Sequence, residues 1–402
     1  MAKKVLIVSA HFYPENFRIN DVALDLSHKG YQVEVLTGFP DYPHRKNFLN
    51  FPDEKDSHWN GIRIHRFRSI SRGDGGSLRR VLNYLSFIFA CAVAGLTRNL
   101  QKPDVIIVWA SSPITVAIPA IWLKKKFRAP LAIWVQDLWP ETLQELGILK
   151  NSWPLAWMGG IVRWIYKNCD LVWAQSDGFR QSIQAWLKDT KKIKVLYNWG
   201  DELVFQSSRI ELDSDSRFKI LFAGNLGKVQ CLKEQLEVVE KLKEEAILWT
   251  WIGGGSEEKW LRDEIKKRNL EKSAQVLERV PAAVVQNYGN WADALVVALQ
   301  TGPALSQTIP SKLQTYLLWK KPVLGMINGE AARIIREAKC GIAFDPTETE
   351  AFASALQKFI RTSPKDLQTY GENGQAYYHA HFSKRQILDR LEAHLVSLME
   401  SK

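Results

Sequence analysis

Apolar runs suited to buried strands alternate with helical stretches along the whole chain. In the first half these runs lie at residues 5–10, 32–37, 105–109, 131–135 and 171–174. In the second half they lie at residues 220–223, 247–252, 275–277, 294–298 and 322–324. Strands that are buried on both faces read as continuous apolar runs, and a repeated strand-then-helix order is typical of a parallel sheet. The pattern predicts an α/β protein built from two Rossmann-like halves.

The alternation lapses over residues 198–217, where Asn, Gly, Asp and Ser cluster. A chain of 402 residues also exceeds the size at which one core keeps growing. We therefore predict an N-terminal domain at 1–200, a linker at 201–217 and a second domain at 218–365. The tail, 366–402, is predicted to be a charged C-terminal helix that crosses back to the N-terminal domain.

The net charge of +11 favours anionic partners, such as nucleotides, phosphate-bearing substrates or an acidic membrane surface. Nucleic acid is not expected, because no helix-turn-helix, RNA-recognition or zinc pattern appears. The four cysteines are widely spaced and form no CxxC pair, which argues against a disulfide framework and fits a reduced cytoplasm. The apolar start is too short for a secretory signal, and no apolar run reaches the length of a spanning helix, the longest being 81–96.

Two glycine loops follow predicted strands in the second half. Gly224, Asn225 and Gly227 lie directly after the strand at 220–223, and Gly254 lies in a glycine triplet after the strand at 247–252. Backbone N–H groups at such a strand-to-helix turn suit a phosphate. A plain tight turn is the alternative interpretation.

Lys312 is the best single candidate for holding a diphosphate. It stands at a predicted helix start, where Pro310 ends the preceding segment and Ser311 is a suitable cap. A cation at that position and the positive end of the helix dipole would act together on an anion. The alternative is an ordinary exposed lysine.

Polar side chains also follow buried strands of the first half, at the sheet edge where ligands bind in open α/β folds. His11 and Arg18 follow the first strand, and Asp137 and Glu141 follow the strand at 131–135. An ion pair with a nearby carboxylate is the alternative for Arg18, and a helix cap is the alternative for Asp137.

No metal site and no cofactor are predicted. Asp213 and Asp215 match a DxD pattern that binds metal ions in some enzymes, but they lie in the polar connector that also contains Asp201. An exposed connector does not preorganise two carboxylates around a metal ion.

Two features point to a membrane surface. A basic cluster precedes the apolar run 81–96, and three tryptophans share one predicted helical face. The arginines are Arg63, Arg66, Arg68, Arg72, Arg79 and Arg80, and the tryptophans are Trp153, Trp157 and Trp164. Basic residues joined to an apolar helix suit an acidic interface, and aromatic stripes suit headgroup depth. The alternatives are a buried core helix and an ordinary packed face.

The chain resembles bacterial family 4 glycosyltransferases that build surface polysaccharides. Six ordered segments carry the resemblance: 13–21 (YPENFRIND), 36–43 (LTGFPDYP), 135–141 (VQDLWPE), 222–227 (FAGNLG), 310–313 (PSKL) and 329–333 (GEAAR). The resemblance implies a GT-B fold, with two Rossmann-like domains facing a central cleft. It also implies a nucleotide-diphosphate sugar donor in the second domain, an acceptor in the first, and transfer with retention and without metal.

The resemblance also implies roles for individual residues. Lys312 and Lys228, with the amides from Gly224 to Gly227, would stabilise the leaving group, and Asp137 would serve catalysis. The donor would be contacted by Gly224, Asn225, Gly227, Gly254, Gln307, Ser311, Thr315 and Glu330, and the acceptor by His11, Arg18 and Glu141.

The chain departs from the family at four positions. Asn225 stands where arginine is frequent, Gln230 stands near a frequent lysine, and Gln307 and Thr315 stand where the family often has glutamates eight apart. Asn225 with Gln230 resembles a subgroup that acts on lipid-linked sugars. A threonine does not match the two-pronged grip of a carboxylate on ribose, and Glu330 is the candidate to compensate.

These features predict a hexosyl- or N-acetylhexosaminyl-type transferase at the cytoplasmic face of the membrane. Its donor would be UDP-linked and its acceptor a polyprenyl-diphosphate-linked saccharide, as in capsule or lipopolysaccharide synthesis. Two alternatives remain on the same fold: a nucleotide-sugar 2-epimerase, and a non-catalytic relative that binds a saccharide or a partner transferase.

Overall fold

The computed structural model describes residues 2–42, 45–71, 77–145, 152–202 and 216–401. The chain forms two compact units. Unit 1 comprises Met1–Leu196 together with Arg385–Lys402, and unit 2 comprises Tyr197–Lys384. Asp213 and Asp215, Arg72 and most of the predicted linker lie outside the described residues.

Unit 1 is built on an eight-stranded sheet whose order is β3-β4-β2-β1-β5-β6-β7-β8. All neighbours are parallel except β3 and β4, which are antiparallel. The strands are β1 (Lys4–Ser9), β2 (Gln32–Gly38), β3 (Asp56–Trp59), β4 (Ile62–Phe67), β5 (Val105–Ala110), β6 (Leu131–Val135), β7 (Leu171–Ala174) and β8 (Ile193–Val195). The helices are α1 (Arg18–His28), α2 (Ser77–Thr97), α3 (Ala117–Phe127), α4 (Glu141–Glu145), α5 (Ser152–Asn168) and α6 (Asp177–Trp186).

Unit 2 is built on a six-stranded, wholly parallel sheet whose order is β11-β10-β9-β12-β13-β14. Its strands are β9 (Phe218–Ala223), β10 (Ile247–Ile252), β11 (Ala274–Leu277), β12 (Ala294–Ala298), β13 (Val323–Met326) and β14 (Gly341–Phe344). Its helices are α7 (Leu232–Lys241), α8 (Glu258–Lys267), α9 (Ala282–Trp291), α10 (Ser311–Leu318), α11 (Gly329–Glu337), α12 (Thr349–Phe359) and α13 (Pro364–His381).

The continuous apolar runs form the central strands. Every residue of β5, β6, β10 and β12 is buried, because helices cover both faces of each sheet. Four tryptophans fill these cores: Trp134 and Trp173 in unit 1, and Trp249 and Trp251 in unit 2. The prediction of two α/β domains with mainly parallel sheets is therefore confirmed.

The last helix, α14 (Lys384–Glu400), packs on unit 1, whereas α13 remains with unit 2. Trp173 donates its indole N–H to Nδ1 of His394 at 3.1 Å, and Lys29 pairs with Asp389 at 2.8 Å. Only part of the segment 366–402 therefore lies with unit 1.

The sequence pattern did not predict four strands, namely β3, β4, β8 and β14. The reason is clearest in β4, which contains His65 and Arg66 although both side chains are 1% exposed. His65 is held by Asp56 at 2.6 Å and lies 3.8 Å from Glu34. Polar partners supplied by neighbouring strands make this strand compatible with burial.

Helix α2 is longer than the apolar run that predicted it. Among the described helices, one stretch, Arg79–Thr97, is long and apolar enough to cross a membrane, and 22% of it is buried. One face of α2 nevertheless packs on unit 1, through buried Phe87, Cys91 and Ala94. Helix α2 is therefore not a core helix that is buried on all sides.

Candidate functional site

Unit 2 contains a cavity of about 350 Å³, called here the unit 2 cavity. It lies where β9 ends and α10 begins, at the carboxyl edge of the sheet where ligands bind in this class of fold. Its walls are formed by Asp201, Ala223, Gly224, Asn225, Gln230, Val285, Ser311, Lys312, Thr315, Tyr316 and Trp319.

The two predicted glycine loops pack against each other beside this cavity. The N–H of Gly224 donates to the carbonyl of Ile252 at 2.8 Å, and the N–H of Leu226 donates to the carbonyl of Gly254 at 3.0 Å. Gly224 has φ 141° and Gly253 has φ 149°, a backbone region that favours glycine. The close packing of the two backbones therefore explains why glycine occupies these positions, whether or not the loops also contact a phosphate.

Lys312 brings a cation into the unit 2 cavity from the first turn of α10. Its Nζ donates to Oε1 of Gln230 at 2.8 Å and lies 3.7 Å from the centre of the Phe222 ring. No carboxylate among the described residues pairs with it. Burial lowers the pKa of Lys312 to about 7, because an ammonium group loses hydration there without gaining a counterion. An anionic ligand in this cavity would therefore stabilise the charged form of Lys312.

Thr315 and Asp201 form a linked pair in the wall. The Thr315 hydroxyl accepts a hydrogen bond from the Asp201 N–H at 3.1 Å and donates to the carbonyl of Ser311 at 3.2 Å. Gly200 permits this approach, since a side chain there would come within 2.9 Å of the backbone of Gln314. Thr315 stands where the family often has a glutamate. Its hydroxyl instead fixes the backbone of Asp201, whose side chain is a carboxylate.

The apolar part of the wall was not predicted from the sequence. It consists of Val285, Tyr316 and Trp319. The Tyr316 hydroxyl accepts from the N–H of Ala223 at 3.0 Å and donates to its carbonyl at 3.2 Å, which fixes the end of β9. The available signal for this surface was a pair of aromatic residues three apart, Tyr316 in α10 and Trp319 directly after it.

The structure brings five of the predicted donor-site residues together and leaves five outside. Gly224, Asn225, Ser311, Lys312 and Thr315 line the unit 2 cavity, whereas Lys228, Gly227, Gly254, Gln307 and Glu330 do not. Lys228 is exposed. Glu330 pairs with Arg333 at 2.8 Å, and the Gln307 amide donates to the carbonyl of Pro303 at 2.8 Å. Among the described residues that line this cavity, Lys312 is therefore the one basic side chain.

A second, smaller cavity of about 50 Å³ lies in unit 1, and it is called the unit 1 cavity. Its lining mixes polar, aromatic and aliphatic residues: Ala10, His11, Gly38, Phe39, Asp41, Tyr42, Ser69, Asn83, Tyr84, Phe87, Ser112, Pro113 and Val116. His11 stacks on Phe17, with ring centres 4.9 Å apart. Arg18 and Glu141, the other predicted acceptor residues, do not line it.

His11, Glu15 and Asp41 lie close enough to suggest a metal site, with possible ligand atoms within 4.8 Å of one another. Both oxygens of Glu15 already accept hydrogen bonds, however. One accepts from the N–H groups of Asp41 and Tyr42 at 3.1 and 2.7 Å, and the other from Phe12 at 3.3 Å. Glu15 therefore serves to organise the loops that hold His11.

Asp137 lies just after β6, close to the unit 1 cavity. Burial raises the pKa of Asp137, whereas a hydrogen bond from the backbone of Ser112, which lines that cavity, acts in the opposite direction. Glu141 begins α4, and its Oε1 accepts from the Trp186 indole at 3.4 Å. Asp137 and Glu141 are four residues apart in sequence, but they contact different groups.

Family models match both halves of the chain. Residues 16–199 match the glycosyl transferase 4-like domain, and residues 205–377 match the glycosyl transferases of group 1. The chain therefore consists of two glycosyltransferase domains. Together they make it a GT-B glycosyltransferase.

Curated relatives agree with this assignment. The chain is 24% identical over 355 residues to WbjE of Pseudomonas aeruginosa, described as a probable glycosyltransferase, covering 85% of this chain and 84% of that protein. It is also 24% identical over 355 residues to WcaI of Escherichia coli, a glycosyl transferase named for colanic acid biosynthesis, covering 78% and 81%.

A solved structure shows the same fold. Alr3699/HepE of Anabaena, determined in complex with UDP, superposes with a TM-score of 0.67 and 15% identity over 98% of this chain and 100% of that one.

A matched pair of glycine variants tests the packing of the two loops. In Gly255→Ala the new methyl group would lie 2.3 Å from the carbonyl oxygen of Leu226, whereas in Gly254→Ala its nearest contact would be 3.4 Å away, at the flexible Glu258 side chain. We expect Gly255→Ala to destabilise unit 2 by about 1–3 kcal/mol and Gly254→Ala to have little effect, as measured by thermal unfolding. Equal unfolding temperatures would contradict this loop geometry.

Proposed function

We propose that this glycosyltransferase moves a sugar from a UDP-linked donor to a polyprenyl-diphosphate-linked saccharide, with retention and without a metal ion. The observation that carries the proposal is the unit 2 cavity, where the amine of Lys312, without a carboxylate partner among the described residues, lies beside a glycine loop at the start of α10. A diphosphate is the ligand that satisfies a cation and a helix N-terminus together.

Lys312 would act on the leaving group. When the bond between the sugar and the diphosphate breaks, negative charge accumulates on the departing phosphate, and a fixed ammonium group stabilises that charge. The acceptor oxygen forms the new bond to the anomeric carbon, and its proton passes to the departing phosphate. The protein then needs no general base of its own at this step.

Asp201 and the apolar wall would bind the nucleoside. The Asp201 segment is fastened to α10 through Thr315, so its carboxylate replaces the missing family glutamate as the acceptor for ribose hydroxyls. Trp319 and Val285 provide an apolar surface on which a base can rest. Glu330 is a poorer substitute, because it pairs with Arg333 and does not line the unit 2 cavity, whereas Asp201 does.

The acceptor would bind in unit 1, with His11 in the lining of the cavity and Asp137 beside it. Exposed apolar side chains on unit 1 support a membrane-bound acceptor: Phe89 on α2 is 71% exposed, and Trp153 and Trp157 on α5 are 77% and 62% exposed. Aromatic side chains at this exposure suit the depth of lipid headgroups. The enzyme would therefore work at the cytoplasmic face of the membrane.

Named relatives support a role in surface polysaccharide synthesis. WcaI is named for colanic acid biosynthesis, and HepE was determined with UDP. Transfer of a sugar from a UDP-linked donor during assembly of a capsule or lipopolysaccharide saccharide on a lipid carrier is consistent with both relatives. The exposed apolar surface disfavours the alternative of a 2-epimerase, which has no lipid acceptor.

Calorimetric titration with UDP and a panel of UDP-sugars, followed by transfer assays with membrane extract from the native source, tests the function. We expect UDP binding and sugar transfer to lipid-extractable material. Conversion of a UDP-sugar into its epimer without transfer would establish the epimerase instead. UDP binding without either reaction would leave a non-catalytic binding protein.

Two lysine variants test the cation. Lys312→Gln is expected to lower kcat about 100- to 1,000-fold, the loss typical of removing one group that stabilises developing negative charge. Lys228→Gln is the matched control, and because Lys228 does not line the cavity we expect a change of less than about threefold. Equal losses, with folding confirmed by circular dichroism, would contradict the role of Lys312.

Donor binding should be linked to proton uptake. The pKa of Lys312 is about 7 in the empty site, and a bound diphosphate raises it by favouring the ammonium form. At pH 8.5 the amine is therefore mainly neutral before binding and charged afterwards. At pH 6 it is charged in both states.

Calorimetry of UDP-sugar binding in buffers of different ionisation enthalpy measures this linkage. We expect uptake of about one proton per donor at pH 8.5, almost none at pH 6, and none at either pH for Lys312→Met. An unchanged apparent enthalpy across buffers at pH 8.5 would show that Lys312 is already charged before donor binding.

Asp201→Asn tests the ribose contact. Hydrogen bonds to a carboxylate contribute about 1.5–3 kcal/mol, so UDP should bind about 10- to 100-fold more weakly. A UDP analogue that lacks both ribose hydroxyls should bind the variant and the unmodified protein equally. Glu202→Gln, at the adjacent position, is the control. A similar loss with the analogue would assign Asp201 a structural role instead.

A further inference from the structure

Helix α2 presents a continuous apolar stripe to solvent. Leu82, Leu85, Phe89, Val93 and Leu96 are between 41% and 71% exposed. Their spacing of three and four residues places them on one face, opposite the buried Phe87, Cys91 and Ala94. The stripe extends for about 20 Å along the helix axis. A surface of this size calls for a partner.

A cleft lies beside the second half of the same helix, with a volume of about 650 Å³. We call it the α2 cleft. Its lining combines apolar side chains with four cations: Phe39, Lys55, Arg66, Phe67, Arg68, Phe89, Ala90, Val93, Ala94, Thr97 and Arg98. Phe89 and Val93 belong to both the cleft and the exposed stripe. A ligand in the cleft therefore reaches the stripe without a break.

The cations of the α2 cleft are only partly neutralised. Arg68 pairs with Asp53, and Arg98 pairs with Asp56 at 3.1 Å. Lys55 is exposed and forms no ion pair among the described residues. The cleft therefore carries net positive charge.

Arg66 is 1% exposed and forms no ion pair among the described residues, although the charge of the Glu15 carboxylate acts on it. Its guanidinium donates to the carbonyl groups of Gly38 and Tyr13 at 3.2 and 2.5 Å and lies 4.9 Å from the centre of the Phe51 ring. Its Nε has no hydrogen-bond partner among the described residues. Burial lowers the pKa of Arg66 to about 10, so the guanidinium stays charged at neutral pH and adds positive charge beneath the surface of the cleft.

We infer that the α2 cleft binds the phosphate group of an anionic membrane lipid while the acyl chains lie along the exposed stripe of α2. Charge complementarity selects this occupant, because the cations adjoin an apolar surface long enough for part of an acyl chain. A free nucleotide would leave the stripe uncovered, and a second copy of this basic chain would bring like charges together. The inference deepens the membrane association of the proposed function and rests on it.

The position of α2 gives this contact a consequence for catalysis. Asn83 and Tyr84, near the start of α2, line the unit 1 cavity, while Phe89 and Val93 line the α2 cleft. A lipid phosphate bound at one end of the helix therefore places the unit 1 cavity at headgroup depth. The diphosphate of a polyprenyl-linked acceptor lies at that depth.

Vesicle co-sedimentation tests the inference with the full chain. We expect vesicles of phosphatidylcholine with 30% phosphatidylglycerol to bind at least about tenfold more tightly than pure phosphatidylcholine. In the double variant Lys55→Gln/Arg68→Gln the affinity for the anionic vesicles should fall about 25-fold, since each removed cation near an acidic surface lowers binding about fivefold.

The control is Lys102→Gln/Arg385→Gln, which removes the same charge from exposed positions elsewhere on unit 1 and should change binding less than about threefold. Equal losses in both double variants would overturn the cleft as a specific site. Phe89→Ser should also weaken vesicle binding. Unchanged binding in that variant would overturn the contact with the acyl chains.

Two further measurements separate this inference from its rivals. Release of the protein from vesicles by millimolar inorganic phosphate at constant ionic strength would show a free phosphate site and overturn the lipid assignment. A dimer in sedimentation velocity that Phe89→Ser abolishes would assign the stripe to a second copy. UDP binding is measured in every variant, so that its loss reports on the proposed function and not on the cleft.

Discussion

The candidate site depends on one half-buried amine. Lys312 lies against the Phe222 ring and the amide of Gln230, and the described residues provide no carboxylate to balance it. Elsewhere in unit 2, buried or half-buried cations such as Lys321 donate to backbone carbonyl groups at sheet ends. The Lys312 amine instead faces a cavity, burial lowers its pKa, and a diphosphate would provide a counterion there. The glycine loops, the helix start and the aromatic wall all surround that point.

The fold could be read from the sequence to a large extent, because the central strands of both sheets are continuous apolar runs. Strand β4 could not be predicted, because it contains the polar residues His65 and Arg66. Their burial makes sense only once their hydrogen-bond partners, which lie on neighbouring strands, are known. Local patterns report burial only where the side chain itself is apolar. Where a buried charge is satisfied by groups distant in sequence, the pattern contains no sign of the strand.

The site was predictable at its centre and less so around it. Lys312, Ser311 and the glycine loop follow from helix-start and strand-end signals, and they line one cavity. Asp201 could not be found, because it lies in a polar connector and its place in the wall depends on a hydrogen bond to Thr315, which is distant in sequence. At the position where the family often has a glutamate, Thr315 accepts a hydrogen bond from the Asp201 backbone, 114 residues away in sequence.

The central claim is that the Lys312 amine exchanges its contact with Gln230 for the diphosphate of the donor. A crystal structure of the chain with UDP tests this most directly. We expect a phosphate oxygen within hydrogen-bond distance of Lys312 Nζ, with the ribose hydroxyls facing Asp201. UDP bound outside the unit 2 cavity, or inside it with Lys312 still bonded to Gln230 and no phosphate in reach, would show that Lys312 does not bind the donor diphosphate.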